Sequence, residues 1–267
     1  MPRGRTTTVL VHRYQQGQTR RAPDELVVEE PLEVRLDDNL VGTTMRTPGH
    51  DFELAVGLCH GDGLLAGVPV TTVRYCATGS AVDTEFNVVT VETGGRAPVP
   101  KPRLAMTSAS CGLCGSQIIT ELCDGLAPLT GTTPPSLEVL AQVPEQVLAD
   151  QGLFARTGAV HAAAAFDVTG AVVVVREDVG RHNAVDKVVG RLLLDGRLPA
   201  GNFGLFVSGR ASFEMVQKAW AAGFAALVAV SAPSSLAVET ARAAGLVLAG
   251  FARGGTLNLY SPETGLN

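Results

Sequence analysis

The sequence has few cysteines, few aromatic residues and no long apolar segment. Cysteine occurs five times in 267 residues, and aromatic side chains make up 5% of the chain. The longest apolar run, from Ala219 to Ala232, is interrupted by Gly223 and is shorter than the roughly 20 residues that cross a bilayer. We therefore expect no membrane-spanning segment.

The chain also has no excess of positive charge. The formal net charge is −5 at pH 7. A protein that binds nucleic acid through its phosphates requires a basic surface, which this total does not favour. We expect no nucleic-acid partner.

The N-terminus lacks the apolar stretch of a secretory signal. The first 21 residues contain five arginines and no acidic residue, and residues 1–22 are predicted to be a disordered basic arm. A chain without an export signal is expected in the reducing cytoplasm. Its cysteines are then more often thiols, metal ligands or catalysts than structural disulfides.

Hydrophobic residues are abundant, at 46%, and their pattern divides the remaining chain into three parts. Residues 23–104 read as a small β-rich domain with one helix, because apolar and polar residues alternate over much of it. Residues 105–135 are expected to form a mobile loop. Residues 136–267 alternate between apolar strands and amphipathic helices, so the fold class is α/β, or α+β overall.

Several elements of the last part are predicted individually. Strands are expected at Phe203 to Val207, Ala225 to Val230 and Leu246 to Phe251, with a helix from about Ser235 to Ala244. Asn183 is expected to cap the helix that follows "REDVG". Pro144 should bend or split a helix over Leu137 to Ala149.

Short strand-to-helix connections imply mainly parallel strands, whose carboxyl ends share one edge of the sheet where ligands usually bind. The loops there are rich in glycine, which lets a ligand approach the backbone, and in arginine, which binds phosphate. We predict an anion-binding rim that includes Arg181, His182, Ser208, Gly209, Arg210 and Arg253. His161 and His182 are candidates for assisting proton transfer.

The motif "SASCGLCGSQ" (108–117) places Cys111 and Cys114 two residues apart. A structural zinc site needs four ligands, and only Cys123 and a histidine are available to complete one. A redox dithiol normally follows a strand of a βαβ unit, whereas this pair follows the linker "TGGRAPVPKPR". Sulfur transfer suits the setting better, since a reactive thiolate in a mobile loop can reach both donor and acceptor.

Long motifs resemble the formate dehydrogenase accessory sulfurtransferase family (FdhD) and cover nearly the whole chain beyond the basic arm. They are, in order, "FELAVGLCHGDGLL", "SASCGLCG", "TGAVHAAA", "REDVGRHNAVDKVVG", "SGRASFEMVQKAWAAG", "SAPSSLAVETARAAGL" and "GFARGGTLNLYS". The resemblance implies a cytoplasmic homodimer whose C-terminal domain is similar to cytidine deaminase, a three-layer fold.

The resemblance also implies a function. A cysteine desulfurase gives persulfide sulfur to Cys111, whose partner is Cys114, and the sulfur passes to the molybdenum cofactor. This is the bis-molybdopterin guanine dinucleotide form, for which GDP is the expected mimic, and it is then inserted into formate dehydrogenase. The residues implied to contact the cofactor are Phe251, Ala252, Arg253, Gly254, Gly255 and Thr256.

Two alternatives stay open. One is a non-enzymatic chaperone that binds and delivers the cofactor. The other is a zinc hydrolase of the deaminase type, which requires His-x-Glu at one helix start and Pro-Cys-x-x-Cys at the next. Here Asn183 and Ala184 follow His182, and "SGRASFEM" has no cysteine, so we expect no structural metal.

Overall fold

The computed structural model describes residues 4–76, 80–100, 123 and 125–263. Within these residues the chain forms a two-stranded hairpin, a four-stranded sheet and a six-stranded sheet. Helices pack against the two larger sheets. The fold is therefore mixed α/β, as predicted.

The N-terminal hairpin consists of β1 (Thr6–Gln15) and β2 (Gln18–Val27), which pair antiparallel along their whole length. Gln16 and Gly17 join them with φ angles of 50° and 80°, as in a type I′ turn. The expected disordered arm over residues 1–22 is therefore wrong for residues 6–22. The ten paired positions satisfy the inward-facing backbone groups of both strands, and Arg13 is partly neutralised by its ion pair with Asp24.

Contacts at its base attach the N-terminal hairpin to the rest of the molecule. Arg156 forms an ion pair with Glu25 of β2. Arg5 donates a hydrogen bond of 3.3 Å from Nη2 to the backbone oxygen of Glu177. Both contacts bridge positions that are more than 100 residues apart, so the hairpin is part of the folded unit.

A small sheet follows in the order β4-β3-β6-β5. Its strands are β3 (Glu30–Leu36), β4 (Asn39–Arg46), β5 (Thr72–Tyr75) and β6 (Val88–Glu92). Helix α1 (Asp51–Gly61) covers one face, because alternate residues of the strands are apolar and point toward it. The shared core includes Leu32, Val34, Leu36, Leu54, Val56, Cys59, Val89 and Val91.

The large sheet has the order β12-β11-β10-β9-β7-β8. Its strands are β7 (His161–Asp167), β8 (Val172–Asp178), β9 (Phe203–Val207), β10 (Ala226–Ala229), β11 (Val247–Arg253) and β12 (Thr256–Ser261). Strands β9, β10 and β11 are parallel, and β8 runs the same way because β7 is antiparallel to both β8 and β9. The carboxyl ends of four strands thus lie along one edge.

Helices cover both faces of the large sheet. One face packs against α4 (Arg181–Leu194), α5 (Phe213–Ala221) and α6 (Ser235–Ala244), and the other packs against α2 (Leu137–Ala149). A short helix, α3 (Gly152–Thr157), follows α2. The result is a three-layer arrangement with two apolar cores.

One sequence-based detail of the helices is wrong. The N-cap of α4 is Gly180 rather than Asn183, whose side chain instead donates a hydrogen bond to the backbone oxygen of Met45. Pro144 lies inside α2 without splitting it. Asn183 lies within the first turn of its helix, where its amide links α4 to the small sheet.

The small sheet and the large sheet are joined by close packing of α1 on α4. A Cβ atom added to Gly57 would lie 1.8 Å from the backbone oxygen of Asp186, and one added to Gly190 would lie 1.8 Å from that of Glu53. Only glycine allows the two backbones to approach so closely. Arg176 of β8 adds two hydrogen bonds to Glu53, of 2.5 and 2.8 Å.

Candidate functional site

A cavity of about 580 Å³ lies along the carboxyl edge of the large sheet. One wall is formed by α2, α3 and the segment after α3, and the other by the ends of successive strands. The wall residues include Glu145, Leu148, Phe154, His161, Val179, Ser208, Val230, Ala252 and Arg253. The edge predicted from the sequence is therefore the edge that holds the cavity.

The β11–β12 turn forms one part of this edge. Arg253 pairs with Thr256, and the two residues between them, Gly254 and Gly255, have φ angles of 57° and 72°. This is a type I′ turn, which requires two positive φ angles and favours glycine. The backbone N–H of Gly254 donates a hydrogen bond of 2.6 Å to Glu145 Oε1 on α2.

Phe251 precedes this turn with an unusual backbone conformation. Its φ is 53°, in the left-handed region that non-glycine residues seldom adopt, and its side chain is 40% exposed. The following residue, Ala252, is buried and lines the cavity. Phe251 and Ala252 of the predicted set therefore point to opposite sides of the strand.

Ser208 and His161 meet at the ends of β9 and β7. The hydroxyl of Ser208 accepts a hydrogen bond of 2.9 Å from the backbone N–H of Ala162. A Cβ atom on Gly209 would lie 3.6 Å from His161 Nδ1, so the imidazole lies over the glycine backbone. Burial lowers the pKa of His161, and the neighbouring Arg181 and His182 lower it further. The shift favours the neutral form of the His161 imidazole.

The start of α4 carries Arg181 and His182. His182 Nε2 lies 2.7 Å from Glu214 Oε2 on α5, and this hydrogen bond lowers the pKa of Glu214. Arg181 Nε is buried and has no hydrogen-bond partner among the described residues. His182 and Glu214 line a smaller cavity of about 220 Å³ beside Asp186 and Lys218.

The structure brings only some of the predicted site residues to one cavity. His161, Ser208, Ala252 and Arg253 line the large cavity, while Gly254 and Gly255 line a shallow groove beside it. Arg210 and Thr256 lie on the same edge, outside these linings. Cys111 and Cys114, with the loop that carries them, lie outside the described residues.

Sequence reasoning missed the wall that α2 and α3 provide. Glu145 and Leu148 carry no local motif, because they enter the cavity only through the packing of α2 on β11, and Phe154 enters it from α3. Glu177 holds α3 in place by accepting the backbone N–H groups of Leu153 and Phe154, at 2.9 and 2.7 Å. The positions of these residues in the cavity wall depend on the topology and have no local sequence signal.

The three cysteines in the described part of the chain, Cys59, Cys76 and Cys123, do not belong to the predicted reactive pair. Cys59 is fully buried in the core of the small sheet, and burial raises its pKa to about 12. Cys76 and Cys123 are half-buried, and burial raises the pKa of Cys123. Within the described ranges, no group of three or more His, Cys, Asp or Glu side chains is arranged to hold a metal ion.

Comparison with known proteins decides the family. A model described as the FdhD/NarQ family matches residues 27–267. The chain belongs to the FdhD/NarQ family. This confirms the resemblance that the long motifs indicated. The match begins at the last residue of β2, so the N-terminal hairpin of this family member lies almost wholly outside the matched region.

Two curated relatives have the same name. Proteins named "Sulfur carrier protein FdhD" from Streptomyces avermitilis and Mycobacterium tuberculosis are 47% and 45% identical to this chain, over 262 and 256 residues. The first alignment covers 95% of this chain and 93% of the relative, and the second covers 90% of each. This FdhD/NarQ member therefore spans nearly the full length of both relatives.

A solved structure shares the fold. It is the crystal structure of a putative formate dehydrogenase accessory protein from Desulfotalea psychrophila, with a TM-score of 0.79 and 24% sequence identity. The match covers 98% of this chain and 100% of that one. Separately, each helix in the described part of the chain is too short or too polar to cross a bilayer.

Proposed function

We propose that this chain is a sulfurtransferase that accepts persulfide sulfur from a cysteine desulfurase on Cys111 and passes it to the molybdenum cofactor. The acceptor is the bis-molybdopterin guanine dinucleotide form, and formate dehydrogenase receives it afterwards. The relatives' shared name supports a sulfur-carrier role, and their similarity extends over nearly the whole chain.

The transfer consists of two displacements at sulfur. The Cys111 thiolate attacks the terminal sulfur of the desulfurase persulfide, an S–S bond forms on Cys111, and the desulfurase cysteine leaves as a thiolate. Cys114 then attacks Cys111 Sγ, so a Cys111–Cys114 disulfide forms and the terminal sulfur leaves as sulfide toward the cofactor. A thiol reductant restores both cysteines.

The observation that carries the nucleotide part of the proposal is the cavity along the sheet edge. Its volume of about 580 Å³ falls within the range of about 300–1,000 Å³ typical of small-molecule sites. Apolar walls and a few polar groups at strand ends suit a nucleotide, and GDP is the simplest mimic of the cofactor's guanine nucleotide. Arg253 and Ala252 of the predicted contact set lie in its lining.

Mass spectrometry tests the sulfur step directly. After incubation with a cysteine desulfurase and cysteine, the protein should carry an added sulfur atom on Cys111. Cys111→Ala should lose it and should fail to mature formate dehydrogenase, while Cys59→Ala should keep both properties. Sulfur on another cysteine, or maturation by Cys111→Ala, would contradict the proposal.

The same preparation separates the two alternatives. A cofactor-delivering chaperone would bind GDP but pass no labelled sulfur to the cofactor in a purified system. A zinc hydrolase would contain stoichiometric zinc when purified without added metal. Labelled sulfur on the cofactor and no stoichiometric zinc are the results we expect.

We also propose a cytidine deaminase-like domain over residues 136–267, a homodimer and a cytoplasmic location. The antiparallel pair β7 and β8, followed by α4-β9-α5-β10-α6-β11, supports the first of these. Light scattering of the purified chain tests the second, and fractionation of cells tests the third.

A further inference from the structure

The N-terminal hairpin projects from the molecule as an exposed arm. Its ten-residue strands are about 34 Å long, and none of the residues of β1 or β2 is buried. The arm is held at its base, where Arg156 pairs with Glu25 and Arg5 donates to the backbone oxygen of Glu177. A two-stranded hairpin by itself is marginally stable in water, so a surface that covers the arm would stabilise it.

The distal half of the arm concentrates positive charge. Arg13 lies directly opposite Arg20, and Arg21 is the next residue along β2. Like charges opposite each other destabilise a strand pair. Arg13 has an ion pair of 3.3 Å with Asp24, but both groups are exposed, so the contact is worth little. Arg20 and Arg21 have no ion pair within the described residues. An anionic surface would therefore make this arrangement favourable.

Apolar side chains lie among these arginines. Leu10 is 59% exposed and Tyr14 is 72% exposed, and they share one face of the hairpin because alternate residues of a strand do so. Arg21 is on the same face, since it pairs with His12, which lies between them. Protein–protein interfaces are enriched in tyrosine and arginine, whereas phosphate backbones and anionic lipids are bound chiefly through charge. The composition of the arm therefore favours a protein as its partner.

Charge complementarity sets the chemistry of that partner. The chain has 21 basic and 26 acidic side chains, yet residues 1–22 contain five of the arginines and no acidic residue. An acidic protein is repelled by the rest of the chain and attracted by the arm. Such a contrast accelerates the encounter and fixes the orientation of the complex. The arm therefore fits an acidic protein surface.

The position of the arm indicates which step the partner serves. The base of the arm contacts α3, and Phe154 of α3 lines the large cavity. Glu177 near the end of β8 joins the two, because its carboxylate accepts the N–H of Phe154 and its backbone oxygen accepts from Arg5. The arm therefore stands beside the cavity. A protein that collects a molecule from the cavity has to approach this edge of the sheet.

We propose that the N-terminal hairpin is a docking arm for an acidic surface of the protein that receives the cofactor. This inference rests on the proposed function, under which that protein is formate dehydrogenase. Arg20 and Arg21 attract the acidic surface, and Leu10 and Tyr14 provide the apolar contact. Docking on the arm holds the receiving protein next to the cavity.

Arg20→Glu separates docking from folding. The change replaces a repelling cross-strand pair with Arg13 by an attracting one, so thermal stability should stay the same or rise. Biolayer interferometry with purified apo-formate dehydrogenase should show association slower than for wild type by about tenfold or more, and less sensitive to salt. Tyr14→Ala should instead accelerate dissociation, because it removes an apolar anchor.

Arg242→Glu is the matched control. It makes the same charge change at an exposed position on α6, next to β12 at the opposite edge of the large sheet. It should bind formate dehydrogenase as wild type does. Both charge variants should accept sulfur on Cys111 and keep the wild-type mass in light scattering, since neither property uses the arm. Equal association of Arg20→Glu and Arg242→Glu would overturn the docking role.

Other occupants of the arm give different results, and each would overturn the proposal. Arg20→Glu that binds formate dehydrogenase normally but accepts no sulfur on Cys111 would assign the arm to the sulfur donor. A loss of mass in light scattering would assign it to a second copy of the chain. Tighter binding of wild type to duplex DNA or phosphatidylserine vesicles than to formate dehydrogenase would assign it to a phosphate surface. A wild-type chain that loads Cys111 but has no affinity for formate dehydrogenase would refute the delivery step of the proposed function itself.

Discussion

Lys187 and Asp178 form an ion pair that is completely buried between the two sheets. Nζ of Lys187 lies 2.6 Å from Asp178 Oδ2, and both side chains have no exposed surface. Thr47 joins them, because its backbone N–H donates to Asp178 and its backbone oxygen accepts from Lys187. The pair therefore connects β8 and α4 to the segment that leads into α1.

Replacing Lys187 by methionine should destabilise the protein strongly. The change leaves the Asp178 carboxylate buried without its counter-ion, which costs about 3–5 kcal/mol in comparable cases. Urea unfolding followed by circular dichroism measures the loss. Arg13→Met breaks an exposed ion pair with Asp24 and should cost less than about 1 kcal/mol. Equal losses for both variants would contradict this prediction.

The contact between α1 and α4 should tolerate no side chain at either glycine. Gly57→Ala places a methyl group 1.8 Å from a backbone oxygen, so the helices must separate, at a cost of at least about 2 kcal/mol. Gly152→Ala is the control, because a Cβ atom there meets nothing within 4 Å. A Gly57→Ala protein as stable as the control variant would show that the packing adjusts freely.

Stability should fall in acid partly through Glu53. Burial alone would raise its pKa, but hydrogen bonds from Arg176 and His50 outweigh burial and lower the pKa to about 2. Because the folded-state pKa lies below the unfolded value, the contribution is fully present above about pH 4.5 and is lost as the pH falls toward 2. It amounts to as much as about 3 kcal/mol.

Unfolding by urea at pH 7, 5 and 3 checks the role of Glu53. Glu53→Gln should be less stable than wild type at pH 7, and the difference should shrink at pH 3. Glu138→Gln, at an exposed position, should follow the wild-type profile at each pH. A difference between Glu53→Gln and wild type that is constant across the three pH values would rule out the titration of this carboxylate.

Cys59 should be unreactive in the folded protein. Its side chain is buried, and a pKa of about 12 leaves almost no thiolate at neutral pH. Iodoacetamide at pH 7.5 followed by peptide mass spectrometry should find Cys59 unmodified, and modified only after unfolding in urea. Rapid modification of the native protein at this position would contradict both the burial and the raised pKa.

The last part of the fold was predictable because its signals are local. Strand Phe203–Val207 and helix Ser235–Ala244 lie where the periodicity placed them, and a serine caps the latter. The N-terminal hairpin was not predictable in the same way, since Gln16–Gly17 is a weak turn signal and arginines occupy its strands. Pairing between strands decided its structure.

The residues of the candidate site also fall into two groups, those with a local sequence signal and those placed by tertiary packing. Ser208 and Arg253 could be placed on the edge because each follows a strand that the pattern identifies. Glu145 and Phe154 could not, since nothing in "VPEQVLADQGLF" shows that α2 packs on β11 or that Glu177 holds α3. Their position is a property of tertiary packing.

The glycine contact between α1 and α4 also bears on how this protein can be divided. A fragment that begins at α2 would uncover the bare backbone at Gly190 and would deprive Asp178 and Lys187 of Thr47. In either fragment, the surface that α1 and α4 bury against each other would be exposed to water. Expression trials and evolutionary shuffling should therefore keep both sheets on one polypeptide.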